Sequence, residues 1–150
     1  MDLEQARSLL LSLPHATETM QWGDNLVFWV GDKAIGGKMF ALIDLAGLAS
    51  KYVISYSAGP DRYAELLEND GISPAPYMAR IHWVAVEHWR VFRDLEWQQQ
   101  LSEAHAVTLG KMPPRTRSIL AIPAREQKKL ITERKKLLEE RAKIKEKSDP

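Results

Sequence analysis

The stretch Leu26-Val27-Phe28-Trp29-Val30-Gly31-Asp32-Lys33-Ala34-Ile35-Gly36-Gly37-Lys38-Met39-Phe40-Ala41-Leu42-Ile43-Asp44-Leu45 decides the fold. Two runs rich in β-branched and aromatic residues, 26–30 and 39–45, flank a turn of glycines and charges, the composition of a β-hairpin. The same turn invites comparison with a phosphate-binding P-loop, and it fails. The first required glycine falls at Asp32 and the required Ser/Thr at Met39, and a strand pattern follows where a helix is needed. The glycines are therefore read as turn residues.

Working outward, Leu3, Ala6, Leu10 and Leu13 recur at helical spacing, so residues 2–13 are predicted to form an amphipathic helix. Asp2 caps it, Gln5 completes a capping box, and Pro14 closes it. A polar stretch then leads through Trp22-Gly23-Asp24 into the hairpin. Residues 52–57 read as a third strand. Gly59-Pro60 opens a second helix with an apolar face at Tyr63, Leu66 and Leu67, ended by Gly71. Pro74 and Pro76 mark residues 72–81 as an irregular connection. His82–Glu87 is a strand by composition, with an extension through Trp89–Phe92. Asp94 then caps a helix that places Trp97, Leu101, Ala104 and Thr108 on one face. Gly110, Pro113 and Pro114 break the chain, and a charged helix is expected over 124–147.

The expected architecture is α+β: an antiparallel β-sheet packed against helices in residues 1–122, followed by a charged, helical tail over 123–150. At 45% hydrophobic and 27% charged, 150 residues suffice for one folded core. There is no cysteine, which excludes disulfides, thiolate catalysis and cysteine-ligated metals and agrees with a reducing compartment. The acidic N-terminus does not read as a signal peptide, and no apolar run approaches the ~18–20 residues that span a bilayer. A cytoplasmic protein without membrane association is expected. The net charge of +1 conceals a division: residues 1–123 carry 11 Lys/Arg and 14 Asp/Glu, a net of −3, whereas residues 124–150 carry 10 and 6, a net of +4.

Candidate chemistry is sparse. His82 and His88 flank Glu87, but neither zinc-protease spacing is present, because Val84, Ala85 and Trp89 occupy the needed positions. On a strand His82 would share a face with Val84 and Val86, the place of an ordinary histidine at a core edge. Ser55, Ser57, His82 and Asp44 form no recognisable nucleophilic triad. Neither a metal, a cofactor nor an enzymatic activity is expected. The five tryptophans read first as buried anchors, although Trp83 near Arg80 and Trp89 beside Arg90 have the composition of a stacking platform for nucleic acid. In the tail, Leu130, Leu137 and Ile144 recur at seven residues, but Arg134 and Arg141 occupy the second seam of a coiled coil.

Taken together, Leu13-Pro14-His15-Ala16-Thr17-Glu18-Thr19, Trp22-Gly23, Val30-Gly31, Gly37-Lys38-Met39-Phe40-Ala41-Leu42, Pro74-Ala75-Pro76-Tyr77, His82-Trp83-Val84-Ala85-Val86 and Lys111-Met112-Pro113 follow in the order seen in MmcQ/YjbR proteins. The chain resembles that family over about residues 3–120. The resemblance implies a CyaY-like fold and a double-wing DNA-binding arrangement, without established catalytic residues. Two features depart from the family pattern: a longer turn at Asp32–Gly36 and the basic tail.

The expectation is accordingly a non-enzymatic DNA- or RNA-binding protein. Lys33 and Lys38 on the hairpin, with Arg80, His82 and Trp83, would contact nucleic acid from wing-like loops. Lys128, Lys129, Arg134, Lys135 and Lys136 would add sequence-independent phosphate contacts. Two alternatives stand beside it: a protein-interaction or self-association module using the C-terminal helix, and a small-molecule site with a pocket near Tyr77, His82 and Trp83.

Overall fold

The structure is a computed structural model that describes residues 1–46 and 50–148, so Asp149 and Pro150 of the expected tail lie outside the described residues. Among the described residues, six strands form one antiparallel sheet: β1 (Ala16–Gln21), β2 (Asn25–Val30), β3 (Lys38–Asp44), β4 (Ile54–Ser57), β5 (Ile72–Pro74) and β6 (Trp83–Val86), in the spatial order β1-β2-β3-β4-β6-β5. The described α-helices that accompany it are α1 (Leu3–Ser12), α2 (Tyr63–Leu66), α3 (Asp94–Lys111), α4 (Pro114–Leu120) and α5 (Ala124–Ser148).

The hairpin read from the sequence is the centre of the sheet. Its register shifts between Phe28 and Trp29, so that Phe28 faces Ala41 while Trp29 faces Met39. The extra residue, Phe40, sits in a bulge. This lets Phe40 and Val30 turn inward with Leu26, Phe28 and Ile43, all buried against the helices. α3 supplies the other side of that core through Trp97, Leu101 and Ala104, each fully buried. The Trp97 indole N–H donates to the Trp89 carbonyl at 2.8 Å, so the ring buries without leaving its donor unpaired. Tyr56 reaches the same interface, donating to Gln100 Oε1 at 3.0 Å, and burial raises its phenol far above its ordinary range. Gln100 also accepts from Arg62, which forms an ion pair with Glu103.

Several expectations are corrected. Residues 16–21, read as a polar stretch, form β1, whose alternate residues are too hydrophilic to show an apolar period. β5 lies within the segment expected to be irregular, held by Ile72 in the core opposite Val86. The second helix is a single turn, α2, rather than a span from Pro60 to Gly71. β6 ends at Val86, and Trp89–Val91 is a short 3-10 turn. Arg93, not Asp94, caps α3: its backbone N–H donates to Glu96 Oε1 at 3.0 Å. Beyond the break expected at Gly110, Pro113 and Pro114, residues 114–120 form α4, with Pro114 at its first position, where its missing N–H costs nothing. The first helix keeps its cap, as Asp2 Oδ1 accepts from the Gln5 N–H at 2.8 Å.

Among the described residues, the α-helices cover one face of the sheet. The other face carries Val27, Trp29, Met39, Leu42, Ser55 and Ala85, and no described α-helix crosses it. Among the described residues no helix is long and apolar enough to cross a membrane.

Candidate nucleic-acid interface

The strand directions place unlike charges at the two ends of the sheet. One end holds the β2–β3 turn with Lys33 and Lys38, the C-terminus of β4, and the segment with Arg80 that leads into β6. The opposite end holds Asp24, Asp44 and Glu87. Because β3 and β6 are two strand spacings apart, roughly 10 Å separates the Lys38 and Arg80 regions across the sheet.

The β2–β3 turn is built to receive the C-terminal helices. Asp32 caps its 3-10 segment, accepting from the Ala34 N–H at 2.8 Å. Gly31 and Gly36 both have positive φ, at 77° and 87°, which favours glycine. A Cβ on Gly31 would meet Leu120 at 3.0 Å, and one on Gly36 would meet Thr116 Oγ1 at 2.7 Å. The glycines thus let α4 lie directly on the turn. α5 follows it: the Gln127 side-chain amide donates to the carbonyls of Leu120 and Ile122 at 2.9 and 2.8 Å, clamping the α4–α5 corner. Leu130 and Ile131 then pack against the edge of the core, and Lys135 Nζ lies 3.4 Å from Asp32 Oδ2.

This docking gathers cations that are far apart in sequence. Arg115 of α4 and Arg134 and Arg141 of α5 line one groove of about 330 Å³ beside Ala34, with Leu137 and Leu138. None of the three arginines has an ion-pair partner among the described residues. The single carboxylate of the turn, Asp32, is already engaged. Lys33 leans over Trp29, its Nζ 5.8 Å from the ring centroid, and Lys38 is exposed at the start of β3.

Not every expected residue joins this cluster. Lys129 and Lys136 fall on the side of α5 away from the turn, together with Glu133 and Glu140, while Lys128 lies on its flank; all three lysines are exposed. Arg80 is exposed at the same end of the sheet but across it. His82 does not lie on a strand. It has φ 61°, ends the 3-10 turn Ala79–Ile81, and meets Tyr63 edge to face at 5.3 Å. Trp83, expected as a stacking aromatic, is only 3% exposed and packs with Ala75 and Ala85. Trp89 is packed against Trp97. The freely exposed aromatics are instead Trp22 and Tyr77, which sequence reasoning did not single out for stacking. Arg115 was missed as well, because nothing in the local pattern of residues 111–122 signals that a helix will carry it to the turn.

The expected pocket near Tyr77, His82 and Trp83 is also redrawn. A cavity of about 600 Å³ lies on the open face of the sheet, and Tyr77 lines it, but His82 and Trp83 do not. No group of three or more histidine or carboxylate side chains placed to hold a metal occurs among the described residues.

The YjbR family model matches residues 11–107. The fold is similar to that of the Deinococcus radiodurans protein DR2400, a DUF419-domain protein known from a crystal structure, with a TM-score of 0.68 and 25% identity over 81% of this chain and 88% of that one. No curated protein matches the sequence. With nearly two thirds of its length matched by the family model, the chain belongs to the YjbR family.

Proposed function

We propose that this YjbR protein is a non-enzymatic nucleic-acid-binding protein that grips the phosphate backbone with the cationic end of its sheet. The observation that carries the proposal is the convergence of Arg115, Arg134 and Arg141 on one groove beside the lysine-bearing β2–β3 turn. Guanidinium groups suit phosphate because their fork of N–H donors matches two oxygens at once. Lys33, Lys38 and Lys135 flank the groove, and Arg80 extends the cationic edge. Lys128, Lys129 and Lys136 add long-range attraction from outside the groove. Asp24, Asp44 and Glu87 lie at the opposite end of the sheet, and Asp32 of the turn is paired with Lys135.

The helix-pairing alternative is less well supported. Leu137, Leu138 and Ile144 are exposed on the distal half of α5, but Arg134 and Arg141 interrupt the seam that a coiled coil needs and turn toward the groove instead.

Binding of a duplex of mixed sequence, followed by fluorescence anisotropy as salt is raised, tests the proposal. About six phosphate contacts give a log–log salt slope near −5. Replacing Arg115, Arg134 and Arg141 together by alanine is expected to flatten the slope by about 3, whereas Lys129→Ala with Lys136→Ala changes it by about 1 or less. Absence of binding to duplex and single strands at low salt removes the proposal.

A further inference from the structure

We infer that the open face of the sheet is a binding site for a small, flat, neutral aromatic or heteroaromatic compound carrying a hydrogen-bonding group. This site is separate from the phosphate-binding groove and shares no residue with it.

The cavity of about 600 Å³ lies over β3 and β4, the two central strands. Its volume falls within the ~300–1,000 Å³ range of small-molecule pockets. Met39, Leu42, Tyr52 and Met78 line its apolar surface, packed on Ala75, Trp83 and Ala85 beneath. Two turns border it from opposite margins of the sheet. Trp22 follows edge strand β1, and Tyr77 follows edge strand β5 at the other end.

Both aromatics are held in a conformation that side chains of this size rarely adopt, φ 48° at Trp22 and 65° at Tyr77. The tight turns explain the backbone angles, which glycine or asparagine would satisfy more readily. They do not explain the rings. Trp22 is 59% exposed and Tyr77 fully exposed, so neither is there to fill the core. Large aromatic faces standing free beside an apolar cavity are surfaces on which a flat ring stacks.

A second observation fixes the polarity of the ligand. Ser55, only 7% exposed, points from the middle of β4 to the open face and lines the cavity. Its hydroxyl has no hydrogen-bond partner among the described residues. That hydroxyl is open to the cavity rather than sealed in the core, so a ligand group reaching the cavity floor can hydrogen-bond it. Asp44 is the one charged side chain that lines the cavity among the described residues, and its Oδ1 already accepts from the Ala46 N–H at 2.8 Å. No cation is among the described residues that line the cavity, and Lys51, between the lining residues Ser50 and Tyr52, is turned onto the Tyr52 ring with its Nζ 5.4 Å from the centroid, so the site favours a neutral ligand.

The test titrates the full chain with a neutral dimethylaminonaphthalene ketone, whose emission rises on leaving water, and with an anilinonaphthalene sulfonate as its anionic counterpart. Saturable binding of the neutral probe, and weaker binding of the sulfonate, are expected. Trp22→Gly and Tyr77→Gly should each weaken the neutral probe roughly tenfold, and Ser55→Ala roughly fivefold. Because glycine relieves the positive φ at positions 22 and 77, the melting temperatures of those two variants should be unchanged or higher, which separates lost binding from lost folding. No saturable binding up to about 1 mM probe, unchanged affinity in both glycine variants, or equal affinity for the sulfonate overturns the inference.

Discussion

At Gly37 a single methyl group decides whether the β2–β3 turn closes. A Cβ there would fall onto the Gly31 carbonyl group and within 2.7 Å of the Asp32 oxygen, both backbone atoms that cannot move aside without opening the turn. Gly37→Ala is therefore expected to cost about 2–4 kcal/mol, read as a lower midpoint in urea unfolding with little change in slope. The Gly-Gly-Lys sequence that resembles a phosphate loop is thus explained by backbone contact. A second residue-scale prediction concerns Glu18. Its carboxylate is held below the ordinary range mainly by its hydrogen bonds with Arg7, one of them 2.8 Å from Nε, and also by the attraction between the charges. A depressed folded pKa means the pair's contribution is present above the unfolded pKa and lost as pH falls through the folded one. Since Arg7 is 43% exposed at the side chain, Glu18→Gln should cost only about 0.5–1 kcal/mol near neutral pH. Unfolding measured across the acid range should show wild type and variant converging.

Among the elements, those with an apolar period were legible in the sequence and those without it were not. The 26–30 and 39–45 runs, the face of Trp97, Leu101, Ala104 and Thr108, and the helical tail all declare themselves through spacing. β1 does not, because Ala16-Thr17-Glu18-Thr19-Met20-Gln21 is an edge strand held by pairing with β2 rather than by burying a hydrophobic face. β5 is three residues long and anchored by one side chain, too short for any period. α5 illustrates the difference between forming a helix and placing one. Its sequence predicts the helix, yet only Gln127, Leu130, Ile131, Arg134 and Lys135 decide that its first half lies on the turn. Leu130→Asp with Ile131→Asp should release that half, since an isolated helix is marginal in water. Hydrogen exchange should then accelerate over residues 127–138 to the rate of residues 139–147, while the amides of β2 and β3 keep their protection.

For the whole molecule, the separation of charge was visible in the sequence, but its geometry was not. The tail stood out as the cationic segment, and the expectation that it adds phosphate contacts treated it as an independent appendage. In the folded chain its proximal half belongs to the end of the sheet that already carries Lys33, Lys38 and Arg80, and α4 brings Arg115 to the same groove. The aromatic expectation was altered more deeply. Trp83 and Trp89 sit beside arginines in sequence, but alternation on β6 turns Trp83 onto the apolar layer of the open face, and Trp89 packs on Trp97. Trp22 and Tyr77, in short turns without any periodic signal, are the rings left in solvent.

The sequence by itself determined the α+β class, the central hairpin, the core face of α3, the helical tail and the likeness to YjbR proteins. Each of these rests on local chemistry: residue spacing, turn-forming glycines, or a motif readable over a few positions. Only the tertiary structure decided which cations meet, which aromatics remain exposed, and that one face of the sheet carries a cavity lined by Ser55. Those properties depend on strand order, on the bulge at Phe40, and on α4 and α5 packing against Gly31 and Gly36. All of them join residues distant in the chain, so no window of sequence contains them.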